Sequence, residues 1–185
     1  MFQSLHMTQY PSRNISALDR FRINKNRYFA TDPQSPLTMQ QRAHFRGLAY
    51  FPEHPALRQE LTVLPCIDKA PVDLQLSTGG AHRYHRFGYL RVNVEGETIQ
   101  LTVFSSEDGY FLPFVDALAG VETYSAGRYL EPTPLDNGRF LVDFNYAYNP
   151  YCAYNNRWSC PMTPMENRVH VAIRAGEKIY IETEQ

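Results

Sequence analysis

His82 to Phe104 reads H-R-Y-H-R-F-G-Y-L-R-V-N-V-E-G-E-T-I-Q-L-T-V-F. Its apolar and polar residues repeat every second position, the period of a half-buried strand. The period breaks once, at Glu95-Gly96. An acidic residue followed by glycine between two alternating runs is a tight hairpin turn. The stretch is therefore one long strand or two over 82–94, turning back into a strand over 97–104, and it sets the chain's class as β.

The same signals spread outward. Downstream, S-E-D-G (106–109) turns into Y-F-L-P-F (110–114). E-T-Y-S-A-G-R-Y-L (122–130) and G-R-F-L-V-D-F-N (138–145) form the next expected pair, joined across P-T-P-L-D-N-G. Val169–Ile173 and Lys178–Glu182 close the chain around Ala175-Gly176. Upstream, Phe45–Phe51, Gln59–Pro65 and Pro71–Ser77 read as strands, with Gly79-Gly80 breaking the chain before the long one. Ahead of the strands, helical spacing over 16–29 predicts a helix with Ser16 as N-cap and Asp19 completing half a capping box. Two prolines in D-P-Q-S-P (32–36) end it. A short helix is expected at Thr38–His44, and residues 1–14 read as a loose arm. About ten short strands, one leading helix and no βαβ alternation predict a single all-β domain. Its architecture is expected to be a small, mostly antiparallel β-barrel, or a barrel-like sandwich, over 45–182. A barrel leaves no edge unpaired and can enclose a ligand.

The whole composition narrows the function. A chain of 185 residues fits one domain. The formal charge of −1 offers no basic field to nucleic acid or an acidic membrane. No apolar run approaches the roughly 20 residues that span a bilayer, and the opening M-F-Q-S-L-H-M lacks a signal-peptide pattern. The expectation is cytoplasmic. Three cysteines are too few for a secreted disulfide scaffold. Thirteen Tyr and eleven Phe suit strands and the walls of a ligand cavity.

Metal, nucleophile and nucleotide chemistry find little support. Cys152 and Cys160 have no C-x-x-C or histidine partner, and His82 and His85 fall on opposite strand faces. No G-x-S-x-G elbow or phosphate-cradling glycine pattern occurs. No metal or cofactor is therefore expected. The two cysteines read as bracing a loop, as packed thiols or as a disulfide, with reduced thiols expected in a cytoplasmic protein.

Acid–base chemistry fits better. Arg139 to Glu177 gathers five Asn, four Tyr, the only Trp and two cysteines, together with Asp143 and Glu166. Strand parity places Glu122, Tyr124 and Arg128 on one face, and Asp143 and Asn145 opposite Phe140, Val142 and Phe144. If those strands pair, a carboxylate, a guanidinium and a phenol converge in a cavity, where burial and charge move their pKa values apart. Asp143, Glu122, Tyr124 and Arg128 are the expected catalytic set. Asp116, Leu118, Asn145, Tyr146, Tyr148, Asn149, Trp158 and Glu166 are the expected substrate contacts. The structural alternative is an Asp143–Arg128 ion pair with asparagines capping loops.

D-F-N-Y-A-Y-N-P-Y-C-A-Y-N (143–155), W-S-C-P (158–161) and E-N-R-V (166–169), preceded by F-L-P-F (111–114) and G-V-E-T-Y-S-A-G-R-Y-L (120–130), resemble a bacterial and archaeal family of unknown function. Ser35–Leu37 and Phe45–Phe51 match it too, so the resemblance covers roughly 16–180. One branch resembles the epoxide-opening, tetrahydropyran-forming enzyme of mupirocin-type polyketide antibiotic biosynthesis. The chain departs from the usual pattern at Leu118, Tyr146, Thr163 and Met165, where the family commonly has Thr, Arg, Pro and Pro. The resemblance implies a cofactor-independent, hydrolase-like enzyme that opens an epoxide in a polyketide-type substrate, in a pocket reshaped for a long apolar chain. The rival readings are a non-catalytic barrel that binds an apolar small molecule, and a homodimer built through the motif loop at Trp158.

Overall fold

The computed structural model describes residues 15–182, so the expected arm at 1–14 lies outside the described residues. Helix α1 (Ala17–Thr31) begins where the Ser16 hydroxyl accepts the Asp19 amide at 3.0 Å. Helix α2 (Met39–His44) opens on a full capping box between Thr38 and Gln41.

Nine strands follow: β1 (Arg58–Thr62), β2 (Leu64–Pro65), β3 (Pro71–Gln75), β4 (Ala81–Val94), β5 (Glu97–Ser106), β6 (Gly109–Phe114), β7 (Arg128–Leu130), β8 (Thr133–Pro134) and β9 (Arg139–Asp143). All their pairings are antiparallel. The β4–β5 hairpin is the centre of the larger sheet, in the order β2-β4-β5-β6-β7 with β3 also on β4. Glu95 and Gly96 both have positive φ, 50° and 91°, which matches the twist of a two-residue hairpin turn. Register pairs Leu90 with Leu101 and Val92 with Ile99, all buried on one face. The smaller sheet, β1-β9-β8, lays Phe140 and Val142 onto that face. The result is a two-sheet, barrel-like sandwich rather than a closed barrel. After Leu130 the chain leaves β6, passes Pro132, and pairs β8 with β9 instead.

Gly88 marks a bulge in β4 where β2 crosses. A Cβ there would lie 2.5 Å from a Val63 methyl and 2.6 Å from the Leu64 carbonyl oxygen. Gly88→Ala should lower stability by about 1–3 kcal/mol in urea unfolding; an unchanged midpoint would mean β2 can shift without loss.

Four strand expectations are corrected. Phe45–Phe51 makes only a single bridge, Tyr50 to Glu177, because Gly47 turns at φ 122°. Residues 122–127 form turns, with the amides of Glu122 and Thr123 returning to the Leu118 carbonyl, so only Arg128–Leu130 is strand. That strand pairs with β6, not with β9. Val169–Ile173 and Lys178–Glu182 are buried in part but irregular: isolated backbone bonds tie them to Val115, Ala117, Ala49 and Glu122, and at Ile173 the Asp116 and Arg128 side chains satisfy both backbone groups. No helix among the described residues is long and apolar enough to cross a membrane.

Candidate functional site

Parity along β9 decides where the cavity lies. Phe140 and Val142 face the core, so Leu141 and Asp143 face outward, where α1 and the motif loop cover them. The space between these elements is a cleft of about 930 Å3, within the range of small-molecule sites. Leu18, Phe21 and Lys25 of α1 form one wall. Tyr146, Tyr148, Tyr151 and Trp158 form another, and Tyr129, Leu130 and Glu131 the floor. Phe21 meets Tyr146 edge to face at 5.0 Å, and Trp158 is fixed by its indole N–H on the Pro36 carbonyl at 3.2 Å.

Polar groups break this aromatic lining at two places. Lys25 Nζ lies 2.7 Å from Glu177 Oε1 and 4.7 Å from the centre of the Tyr148 ring. Glu177 is fully buried, and its other oxygen accepts the Tyr154 hydroxyl at 2.6 Å and the Asn149 amide at 2.7 Å. Such a buried carboxylate holds the ammonium in one place at the cavity edge. Beside it, the Tyr148 hydroxyl donates to Glu131. Burial, reinforced by the Glu131 charge, pushes the Tyr148 phenol well above its ordinary range, so it stays a proton donor.

The second place is Asp143. Its Oδ1 accepts the Asn145 backbone amide at 3.0 Å and the Asn145 side-chain amide at 2.8 Å. Oδ2 lies 3.5 Å from Arg58 Nε, a half-exposed partner. Burial and the neighbouring Asp143 charge raise the Tyr146 phenol. Phe21, in contact with Tyr146, and Lys25 are four residues apart on α1, about 6 Å along the helix axis. One cavity thus carries Asp143 with Tyr146 and Lys25 with Tyr148 along its lining.

Four expected site residues line this cavity: Asp143, Tyr146, Tyr148 and Trp158. The other expectations are corrected. Arg128 points into the core, where it pairs with Asp116 at 3.3 Å and not with Asp143. Glu122 reaches outward to Arg174 at 2.9 Å, because its segment turns instead of running as a strand. Tyr124 donates to Cys152 Sγ at 3.9 Å, away from the cavity lining. Asn145 brackets His54 through its backbone, and Asn149 holds the Lys178 carbonyl. Glu166 forms a surface pair with Arg86 at 3.0 Å, and Leu118 is core. Of the departures from the family pattern, only Tyr146 lines the cavity. Thr163 donates to the Ala126 carbonyl, and Met165 is exposed.

Lys25, Arg58, Glu53 and Glu131 were missed. Lys25 had a signal: with Arg22 it falls on the stripe Leu18, Phe21, Lys25, Phe29 of α1, a charge among apolar residues at helical spacing. Among the described residues, no three His, Cys, Asp or Glu side chains gather as they would to hold a metal ion.

A family model described as a protein of unknown function, DUF1684, matches residues 43–178. The chain belongs to this family. The matched region includes β1 to β9 and the whole motif loop, while the α1 wall of the cavity precedes it. No curated protein matches. Among solved structures, the chain is similar to the solution NMR structure of the uncharacterized protein from gene locus rrnAC0354 of Haloarcula marismortui. The two are 36% identical over 87% of this chain and 91% of that one, with a TM-score of 0.67.

Trp158 is the chain's only tryptophan and lines the cavity. An apolar ligand bound there should shift and quench intrinsic fluorescence in a saturable way. The same titration of Tyr148→Ala, with the wall opened, should require about tenfold more ligand. No fluorescence response to any alkyl or polyketide-like probe would place ligand binding elsewhere.

Proposed function

We propose that the cavity is an enzyme site that opens an epoxide in a polyketide-type substrate by attack of the substrate's own hydroxyl, forming an oxygen heterocycle. The observation that carries this reading is the presence of Asp143 and Lys25 on one largely aromatic cavity of about 930 Å3. Resemblance of the D-F-N-Y-A-Y-N-P motif to the ring-forming branch of the family supports it.

The step is an isomerisation. Asp143 Oδ2 accepts the hydroxyl proton as that oxygen forms a bond to one epoxide carbon. The C–O bond at that carbon breaks, and the leaving oxygen takes its proton from the Lys25 ammonium. The proton held by Asp143 finally passes through solvent to Lys25, so no atom is gained or lost and no cofactor enters. The apolar walls hold the chain so that one carbon, rather than its neighbour, lies in line with the hydroxyl.

A synthetic epoxy-alcohol with a long acyl chain tests the reading. Incubation with the protein should yield the six-membered ring in excess over the five-membered ring that forms without catalyst. A product ratio and rate unchanged by protein, with Trp158 fluorescence still responding, would instead make the cavity a binding site without chemistry.

A further inference from the structure

The epoxide reading leaves Cys152 and Cys160 unused. Cys152 sits on the helical turn Tyr151–Ala153, and Cys160 on the cavity wall nearby. The Cys152 amide donates to Cys160 Sγ at 3.3 Å. The Cys160 sulfur therefore lies against the Cys152 backbone, and both thiols are free. Cys160 is fixed on its other side as well. Its amide donates to Ser77 Oγ at 3.1 Å, and its carbonyl accepts the Ser77 amide at 2.9 Å.

The two thiols are not equivalent. The Cys152 sulfur accepts the Tyr124 hydroxyl at 3.9 Å. Donors around a sulfur favour its anion. The neighbouring Cys160 foremost, with Tyr124, pulls the Cys152 thiol below its usual range, while Cys152 and burial push Cys160 above it. Cys152 is part-exposed and Cys160 buried. A part-exposed cysteine that accepts a phenol hydrogen bond, with a buried thiol against its backbone, matches the arrangement of an attacking and a resolving cysteine.

We propose that Cys152 and Cys160 form a redox-active dithiol that a hydroperoxide converts, reversibly, into a disulfide at the cavity wall. The Cys152 thiolate attacks one peroxide oxygen; the O–O bond breaks, a sulfenic acid forms, and the released alkoxide or hydroxide takes up a proton. The Cys160 sulfur then attacks the Cys152 sulfur; the S–O bond breaks and hydroxide leaves with the Cys160 proton as water. Two electrons pass from the thiols to the peroxide. The bond ties the Tyr151–Ala153 turn to the 158–161 segment, and Tyr151 and Trp158 of these segments both line the cavity.

Hydrogen peroxide and the full chain test this without any variant. After brief exposure, maleimide tagging and peptide mapping should show Cys152 and Cys160 lost together while Cys66 stays labelled. Dithiothreitol should restore both. In Cys160→Ser, Cys152 should stop at a sulfenic acid trapped by dimedone. In Cys152→Ser, oxidation of Cys160 should slow by about tenfold or more. Oxidation of Cys66 at the same rate, passage of Cys152 to sulfinic acid with Cys160 still labelled, or no thiol loss would each overturn the proposal. None of these outcomes bears on the epoxide reading, which involves neither sulfur.

Discussion

In urea, the Arg128→Met chain should unfold with about 3–5 kcal/mol less stability than the parent, most of what a small domain possesses. Arg128 is 1% exposed, and its guanidinium holds three carbonyls of the closing segment: Ile173 at 2.8 Å, Glu177 at 3.0 Å, and Ala175. Its remaining partner, Asp116, is equally buried and accepts the Thr123 hydroxyl at 2.7 Å and the Ile173 amide at 2.9 Å. Burial lowers Arg128 to about 10, with Asp116 and Glu177 opposing, so it remains charged at neutral pH. Methionine fills much of the volume but leaves a buried carboxylate and three carbonyls without their donor. Lysine should rescue little, since one ammonium cannot serve four acceptors arranged for a planar fork. Glu122→Gln gives the contrast. Its Arg174 partner is half-exposed, and the change should stay within about 0.5 kcal/mol. A loss below about 1 kcal/mol for Arg128→Met, with a native spectrum, would mean that other contacts hold residues 173–177.

The same arginine shows where sequence reading stops. Alternation located the β4–β5 hairpin to within a few residues, since the pattern and the Glu95-Gly96 turn are local and agree. Parity on β9 likewise put Asp143 on the cavity side. Arg128 defeated it because a strand pattern continued backward through Tyr124 to Glu122 where the backbone turns at Leu118 and Gly127. A side chain that replaces a hydrogen-bond ladder has no period. Lys25 was legible in principle as a charge on an apolar stripe, but its partner Glu177 lies at the far end of the chain. Only tertiary structure brings them to 2.7 Å.

On the proposed epoxide reading, the Asp143→Asn chain should bind the epoxide substrate normally yet open it about 10²–10⁴-fold more slowly. The substitution is nearly silent for the fold. An amide oxygen can replace Oδ1 and still accept both Asn145 bonds, and what is lost is basicity at Oδ2 and a half-exposed pair with Arg58, worth under about 1 kcal/mol. Melting should therefore barely move while the rate collapses. Lys25→Met differs in kind. It removes a donor to the leaving oxygen, so kcat and kcat/KM should fall together. It also leaves Glu177 buried with only neutral donors, Tyr50, Tyr154 and Asn149, so stability should fall as well. The two variants thus separate chemistry from scaffold: one slow and stable, the other slow and fragile. Full activity in Asp143→Asn, with Trp158 still reporting substrate binding, would remove Asp143 as the base. Equal slowing of both variants with unchanged melting would mean that Glu177 does not depend on Lys25.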